Sequence, residues 1–156
     1  MPRERGFMND SHMSAFSAWR VLVVDDDADS AFMTSEYLQL AGISARIATS
    51  GKEALALMES DLPDLVICDR RMPDLSGVEL LEIIRQRGPE WQQIAFVFLT
   101  GLIDRRDRYA MMPLHPDGYL CKPIEYEEFD LKLAAILTTR QQRLAATAAG
   151  PGEAPT

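Results

Sequence analysis

The fold is decided by the stretch Leu65-Val66-Ile67-Cys68-Asp69-Arg70-Arg71-Met72-Pro73-Asp74-Leu75-Ser76-Gly77. Its first four residues form an apolar run bounded by turn signals, which is typical of a buried strand in a parallel sheet. The run ends at Asp69, and a loop punctuated by Pro73 and Gly77 leads into an amphipathic helix. Asp69 is therefore predicted to lie at the carboxyl end of a central strand, where open α/β sheets hold their ligands.

Three other apolar runs also end in chemically useful residues. They are Val21–Val24 before Asp25-Asp26-Asp27, Ile94–Leu99 before Thr100, and Tyr119–Cys121 before Lys122-Pro123. Together the four runs deliver carboxylates, a hydroxyl and an ammonium group to one edge of a sheet. Carboxylate oxygens suit Mg²⁺, and phosphoryl transfer depends mainly on positioning and charge neutralisation. The sequence therefore predicts a site that holds Mg²⁺ and handles a phosphoryl group.

Predicted strands alternate with predicted helices along the chain, which indicates an α/β fold with a five-stranded parallel sheet covered by five helices on both faces. The first helix is expected to use Phe32, Met33, Tyr37, Leu38 and Leu40 as its apolar side, and the last to run from Glu125 to about Leu144. We expect a disordered N-terminal tail over 1–18, one domain over 19–143, and a disordered tail or linker over 144–156.

Composition excludes several classes of protein. The chain has 156 residues and a net charge of −8, so neither nucleic acid nor an anionic membrane is expected as a direct partner. No apolar run approaches the ~20 residues of a membrane helix. The N-terminus has no secretory apolar region, and Cys68 and Cys121 are interpreted as buried thiols in a reducing compartment. We therefore expect a cytoplasmic protein.

These motifs resemble the receiver domain of bacterial two-component response regulators. The resemblance covers about 19–143 and rests on four marks: Val23-Val24-Asp25-Asp26, Asp69 with Met72-Pro73 and Gly77, Phe98-Leu99-Thr100-Gly101, and Tyr119-Leu120-Cys121-Lys122-Pro123. It implies a flavodoxin-like doubly wound sheet of order 2-1-3-4-5. It also implies a signalling switch rather than a turnover enzyme, in which Asp69 accepts a phosphoryl group from a sensor histidine kinase or a phosphotransfer protein.

The resemblance also assigns roles around the phosphoacceptor. Asp25, Asp26, Asp69 and the backbone carbonyl of Arg71 would hold Mg²⁺ as cofactor. Lys122, in a cis peptide bond to Pro123, would contact the phosphoryl oxygens.

Two residues carry the implied conformational switch. The hydroxyl of Thr100 would also contact the phosphoryl group, and its movement would be coupled to the rotamer of Tyr119. Together they would bias a face made by helix 4, strand 5 and helix 5, which would control a downstream protein partner or a homodimer. The fourth helix is expected within Asp104–Met112, and Pro113 and Pro116 put its length in doubt.

Alternatives remain open from the sequence. The side chain of Arg71 could pair with a carboxylate and tune the lifetime of the acyl phosphate, or point to solvent. A pseudo-receiver would bind partners without phosphorylation. A phosphatase of the haloacid dehalogenase type would use Asp25 as nucleophile and Asp27 as acid/base, but it would leave Asp69 unexplained.

Overall fold

The computed structural model describes residues 11–101, 108, 109 and 111–153, with side chains described up to Ala146. The strands are β1 (Val21–Val24), β2 (Ala45–Ala48), β3 (Leu65–Cys68), β4 (Ala95–Thr100) and β5 (Gly118–Cys121). The α-helices of the described residues are α1 (Ala28–Leu40), α2 (Gly51–Ser60), α3 (Gly77–Gln86), the short α4 (Pro89–Gln92) and α5 (Tyr126–Glu153). Two 3₁₀ helices span His12–Phe16 and Met112–Leu114.

The five strands form one parallel sheet in the order β2-β1-β3-β4-β5, which confirms the predicted fold. The register pairs Val24 with Cys68 and Cys68 with Phe98, so β1, β3 and β4 end at the same edge. The residues that follow these strand ends are the ones that the sequence analysis singled out. Parallel pairing has therefore collected them from distant parts of the chain.

The sheet is buried on both faces. One core cluster lies on the side of α1 and α5 and includes Val21, Val23, Leu65 and Ile67. The other lies on the side of α2 and α3 and includes the intervening strand residues Leu22, Val24, Val66 and Cys68. Strand side chains point alternately to the two faces, so each strand needs a continuous apolar run to fill both layers.

The predicted apolar face of α1 is correct for Leu38, which is buried, and for Tyr37, which packs partly buried against the core, but it is wrong for the other three residues. Phe32, Met33 and Leu40 are 60%, 50% and 53% exposed. The residues that α1 buries are Ala31, Thr34 and Leu38, spaced three and four apart. That spacing places them on one side of the helix, and the small size of the first two brings α1 close to the sheet.

The prediction of a disordered tail over 1–18 is wrong for its described part, 11–18. There the 3₁₀ helix His12–Phe16 buries Met13 and Phe16 at 1% and 3% exposure. The buried carboxylate of Asp130, on α5, accepts hydrogen bonds from the backbone N–H groups of His12 at 2.7 Å and Met13 at 2.9 Å. The backbone N–H groups at the start of this 3₁₀ helix thus have their acceptor on a residue far along the chain. A local sequence pattern does not reveal such a partner.

Other boundaries differ less. Helix α5 extends to Glu153, past the expected end near Leu144, so the expectation of a disordered tail over 144–156 is wrong as far as Glu153. Ala145–Ala149 favours helix, whereas Gly150-Pro151-Gly152 disfavours it, so local propensity accounts for only the first part of the extension. Most of the fourth predicted helix, Asp104–Met112, lies outside the described residues.

Cys121 is exposed rather than buried, because β5 is an edge strand of the sheet. No helix in the part of the chain that the structure describes combines the length and apolarity needed to cross a membrane.

Candidate functional site

Asp69 lies immediately after β3, at the carboxyl edge of the sheet. Its backbone N–H donates to the carbonyl of Val24 at 2.9 Å, which extends the pairing of β3 with β1 by one residue. The loop after Asp69 returns closely over it, since a Cβ on Gly77 would collide with the Asp69 carbonyl oxygen. Only glycine permits this approach. The carboxylate of Asp69 remains partly open, with 15% of its side chain exposed.

Lys122 bridges two carboxylates from different strands. Its Nζ donates to Asp25 Oδ2 at 2.7 Å and to Asp69 Oδ2 at 3.3 Å. Burial lowers the pKa of Lys122, but the hydrogen bonds and charges of Asp25 and Asp69 raise it more, so its pKa lies above the ordinary value. The ammonium group is therefore charged throughout the physiological range. The Lys122–Pro123 peptide is cis, as the resemblance implies.

Three carboxylates converge beside this ammonium group. Asp25, Asp26 and Asp69 each offer one oxygen, and these oxygens lie within 4.8 Å of one another. Asp25 is buried at 3% exposure and Asp26 is exposed. An all-oxygen donor set that is open to water on one side suits Mg²⁺, which keeps several of its waters. The residues present therefore fit this metal.

Arg71 follows the phosphoacceptor candidate by two residues. Its backbone N–H donates to Asp69 Oδ1 at 3.4 Å, and its side chain is exposed. The backbone at position 71 thus lies next to the three carboxylates. The exposure of the side chain favours the solvent-facing alternative for the Arg71 guanidinium group.

Thr100 and Tyr119 connect the site to the β4–β5 side of the sheet. Thr100 ends β4 at 4% exposure, and its carbonyl accepts a hydrogen bond from the Lys122 backbone N–H at 2.9 Å. Tyr119 lies half-buried on β5, stacked on Phe98 with ring centroids 6.0 Å apart and planes 11° apart. The guanidinium group of Arg108 lies 5.0 Å from the centre of the Tyr119 ring. The aromatic candidate is therefore held between a core ring and a cation.

Two acidic residues near the site have structural roles. Asp27 caps α1 through its side chain, which accepts from the backbone N–H groups of Asp29 and Ser30. Asp74 accepts from the N–H groups at the start of α2, with Lys52 at 3.1 Å. Both capping hydrogen bonds use Asp27 Oδ1, so helix capping accounts for this carboxylate without the phosphatase alternative. The role of Asp74 was missed, because the sequence places it in a loop 22 residues from its partner.

Comparison with known proteins decides the family. The family model of the response regulator receiver domain matches residues 21–134. The chain belongs to this family. As a receiver domain it is 36% identical over 118 residues to the response regulator MprA of Mycolicibacterium vanbaalenii, covering 76% of this chain. It is 33% identical over 113 residues to an uncharacterized 14.6 kDa protein of Leptolyngbya boryana, covering 72% of this chain and 86% of that protein.

Solved structures agree with this assignment. The crystal structure of a CheY-like response regulator receiver domain protein from Methanospirillum hungatei is 26% identical, with a TM-score of 0.71, covering 80% of this chain and 98% of that one. The chain spans 50% of the length of MprA and about half the length of other curated relatives that it matches.

Proposed function

We propose that this receiver domain is a phosphorylation-dependent signalling switch and that Asp69 is its phosphoacceptor. The observation that carries the proposal is the Lys122 ammonium group, which lies 2.7 Å from Asp25 and 3.3 Å from Asp69. A buried carboxylate, a partly open carboxylate and a fixed cation lie together at one sheet edge. This arrangement suits a phosphoryl group that is transferred to the open carboxylate and later released. Membership of the receiver family supports the same interpretation.

The proposed reaction is an in-line phosphoryl transfer. An oxygen of the Asp69 carboxylate forms a bond to phosphorus, and the P–N bond to a phosphohistidine of a sensor kinase or phosphotransfer protein breaks. The electron pair of that bond stays on the imidazole nitrogen, which takes a proton. The product is an acyl phosphate on Asp69. Lys122 is positioned to contact its oxygens, and Thr100 carries the hydroxyl proposed to do the same.

Asp25, Asp26 and Asp69 would hold Mg²⁺, with the Arg71 carbonyl as a further proposed ligand. When bound, the metal supplies positive charge that offsets the charge of the phosphoryl group. The protein contributes the arrangement of the carboxylates. Asp25 is fixed by Lys122 and by the backbone N–H of Asp27, which donates to Asp25 Oδ1 at 3.0 Å. Both oxygens of Asp25 are therefore held by hydrogen bonds beside Asp69.

The proposed output is a population shift involving Thr100 and Tyr119. Thr100 is the last residue of β4, next to Gly101. On the neighbouring strand β5, Tyr119 is paired in register with Phe98 of β4. Movement of Thr100 toward a phosphoryl group would change the packing around Phe98 and Tyr119. The face formed by the segment 104–112, β5 and α5 would then favour or reject a downstream protein or a second copy of this chain.

The experiment is intact-mass measurement after incubation with Mg²⁺ and acetyl phosphate, with beryllofluoride binding as a second readout. One added phosphoryl group is expected in the wild type and none in Asp69→Asn. Asp74→Asn is the matched control, since it removes a carboxylate from the same loop but one that caps α2. It should accept the phosphoryl group as the wild type does.

Two outcomes would contradict the proposal. A phosphoryl adduct that persists in Asp69→Asn would place the acceptor elsewhere. No adduct and no beryllofluoride response in the wild type would leave a pseudo-receiver that binds partners without phosphorylation. The role of Arg71 has its own test, because a dephosphorylation rate unchanged in Arg71→Ala would exclude tuning by that side chain.

A further inference from the structure

A groove of about 510 Å³ lies at the opposite end of β5 from the phosphoacceptor site. Three guanidinium groups line it, from Arg85 on α3 and from Arg140 and Arg143 on α5, with the carboxylate of Asp117 between them. At ~3.3 Å per strand residue, Asp117 lies roughly 16 Å from Lys122 along β5. The groove is therefore separate from the site already described.

The single carboxylate of Asp117 does not form close ion pairs with all three guanidinium groups. Its Oδ2 accepts a hydrogen bond from the Phe96 backbone N–H at 2.8 Å and lies 3.7 Å from Arg85. Its Oδ1 is shared between Arg140 and Arg143, each at 3.4 Å. Charge-assisted hydrogen bonds between a guanidinium group and a carboxylate are ordinarily ~2.7–2.9 Å long. These contacts are longer, and one carboxylate cannot form a two-pronged pair with three guanidinium groups.

Arg85 has a structural role in the groove. Its guanidinium nitrogens donate to the backbone carbonyls of Ile94 at 2.9 Å, His115 at 3.1 Å and Leu114 at 3.3 Å. Arg85 thereby fixes the turn that precedes β5 and contributes its charge to the groove wall. Arg140 and Arg143 lie one helical turn apart on α5, with side chains 11% and 65% exposed, and each lies 3.4 Å from Asp117 Oδ1.

The electrostatics of the cluster agree with this geometry. Burial lowers the pKa of Arg140 and the charge of Arg143 lowers it further, while Asp117 and Asp64 raise it, with a net lowering. Burial also lowers the pKa of Arg85, and with the charge of Arg140 it outweighs the attraction of Asp117. The groove lining contains three guanidinium groups and one carboxylate, so positive charge is in excess there although the whole chain carries a net charge of −8.

We propose that this groove binds a small organic phosphate monoester, with the phosphate on Arg140 and Arg143. A phosphate dianion matches two guanidinium groups in charge and in its spacing of oxygens. The volume exceeds what inorganic phosphate fills, and Pro113, Leu114 and Leu144 supply an apolar wall for the rest of the ligand. The function proposed above does not require this site.

The test is titration of the ¹⁵N-labelled protein with phenyl phosphate and, separately, with inorganic phosphate, both in EDTA. Without divalent metal, the carboxylates of Asp25, Asp26 and Asp69 repel anions, so the phosphoacceptor site stays out of the measurement. We expect saturable shifts at the amides of Leu114, His115 and Asp117 and tighter binding of phenyl phosphate than of inorganic phosphate.

Arg143→Ala is the decisive variant, because its side chain is 65% exposed and its removal should leave the fold intact. Lys132→Ala is the matched control: it lies on the same helix, is 58% exposed and removes the same charge. We expect Arg143→Ala to weaken phenyl phosphate binding by about tenfold and Lys132→Ala by less than about twofold.

Three outcomes would overturn the proposal. They are the absence of saturable shifts around Asp117, an equal loss of affinity in Arg143→Ala and Lys132→Ala, and shifts centred on Asp69 instead. Equal affinity for the two phosphates would overturn the assignment of an organic ligand. Circular dichroism of each variant confirms that a loss of binding is not a loss of fold.

Discussion

Replacing Lys122 with Met should destabilise the metal-free protein strongly. With an effective dielectric constant of ~20, the attraction of Lys122 is about 6 kcal/mol to Asp25 at 2.7 Å and about 5 kcal/mol to Asp69 at 3.3 Å. Most of this gross attraction is offset by removal of the ammonium group from water. What remains on substitution is the cost of leaving Asp25 buried at 3% exposure without its cation. Removing one partner of such a pair costs about 3 kcal/mol.

Magnesium should reduce that loss. The proposed Mg²⁺ site shares its carboxylates with Lys122, so the variant should gain more stability from the metal than the wild type does. Chemical denaturation of both proteins in EDTA and in saturating Mg²⁺ measures this coupling as a double cycle. In EDTA we expect the free energy of unfolding of Lys122→Met to lie about 3 kcal/mol below that of the wild type, which corresponds to about 10 °C in Tm. In saturating Mg²⁺ this gap between the two proteins should be smaller by at least about 1 kcal/mol.

Lys132→Met is the control, because it removes an exposed lysine whose pair with Glu128 is worth only ~0.3–0.5 kcal/mol. Equal stability of Lys122→Met and the wild type in EDTA would refute the electrostatic account of the site. Equal stabilisation of both proteins by Mg²⁺ would show that the metal and Lys122 do not share these carboxylates.

Further predictions concern the elements around the site. Asp130→Ala should lower the free energy of unfolding by about 2 kcal/mol in denaturant melts, because the His12 N–H loses its acceptor and the Met13 N–H keeps only Ser11 Oγ at 3.2 Å; no change would mean that apolar contacts alone hold 11–17. Gly77→Ala should cost at least about 2 kcal/mol in the same assay, because its Cβ meets the Asp69 carbonyl; unaltered stability would show that the loop relaxes freely. Burial raises the pKa of Asp74, but backbone hydrogen bonds lower it more, so its folded pKa is depressed. The stabilisation from Asp74 is thus present above the unfolded pKa and lost as pH falls through the folded one. Stability curves against pH should show a smaller acid loss in Asp74→Asn, and parallel curves would contradict this.

Much of the site was predictable from sequence because each of its groups follows an apolar run. Asp25, Asp69, Thr100 and Lys122 are all placed by the ends of parallel strands, and the structure brings these strand ends to one edge. The ordering of four motifs along the chain was sufficient for the resemblance to a receiver domain. The family match then confirmed that resemblance. The chemical roles of the individual residues remain predictions.

The features that the sequence did not predict share one cause, which is contact between residues far apart in the chain. The burial of Met13 depends on Asp130, which lies 117 residues away. The inward face of α1 combines Leu38 with the small residues Ala31 and Thr34, and it leaves the other large apolar side chains Phe32, Met33 and Leu40 exposed. The arginine groove depends on α3, β5 and α5 meeting at one place.

The sequence by itself determined the alternation of strands and helices, the strand ends and the identity of the reactive groups. These features depend on local hydrophobic periodicity and on turn residues that neighbouring positions specify. Only the tertiary structure decided which helix faces are buried, that the segment before β1 docks on α5, and that Lys122 joins Asp25 to Asp69. Such contacts form between residues far apart in sequence, and their geometry is set by packing of the whole chain rather than by any local pattern.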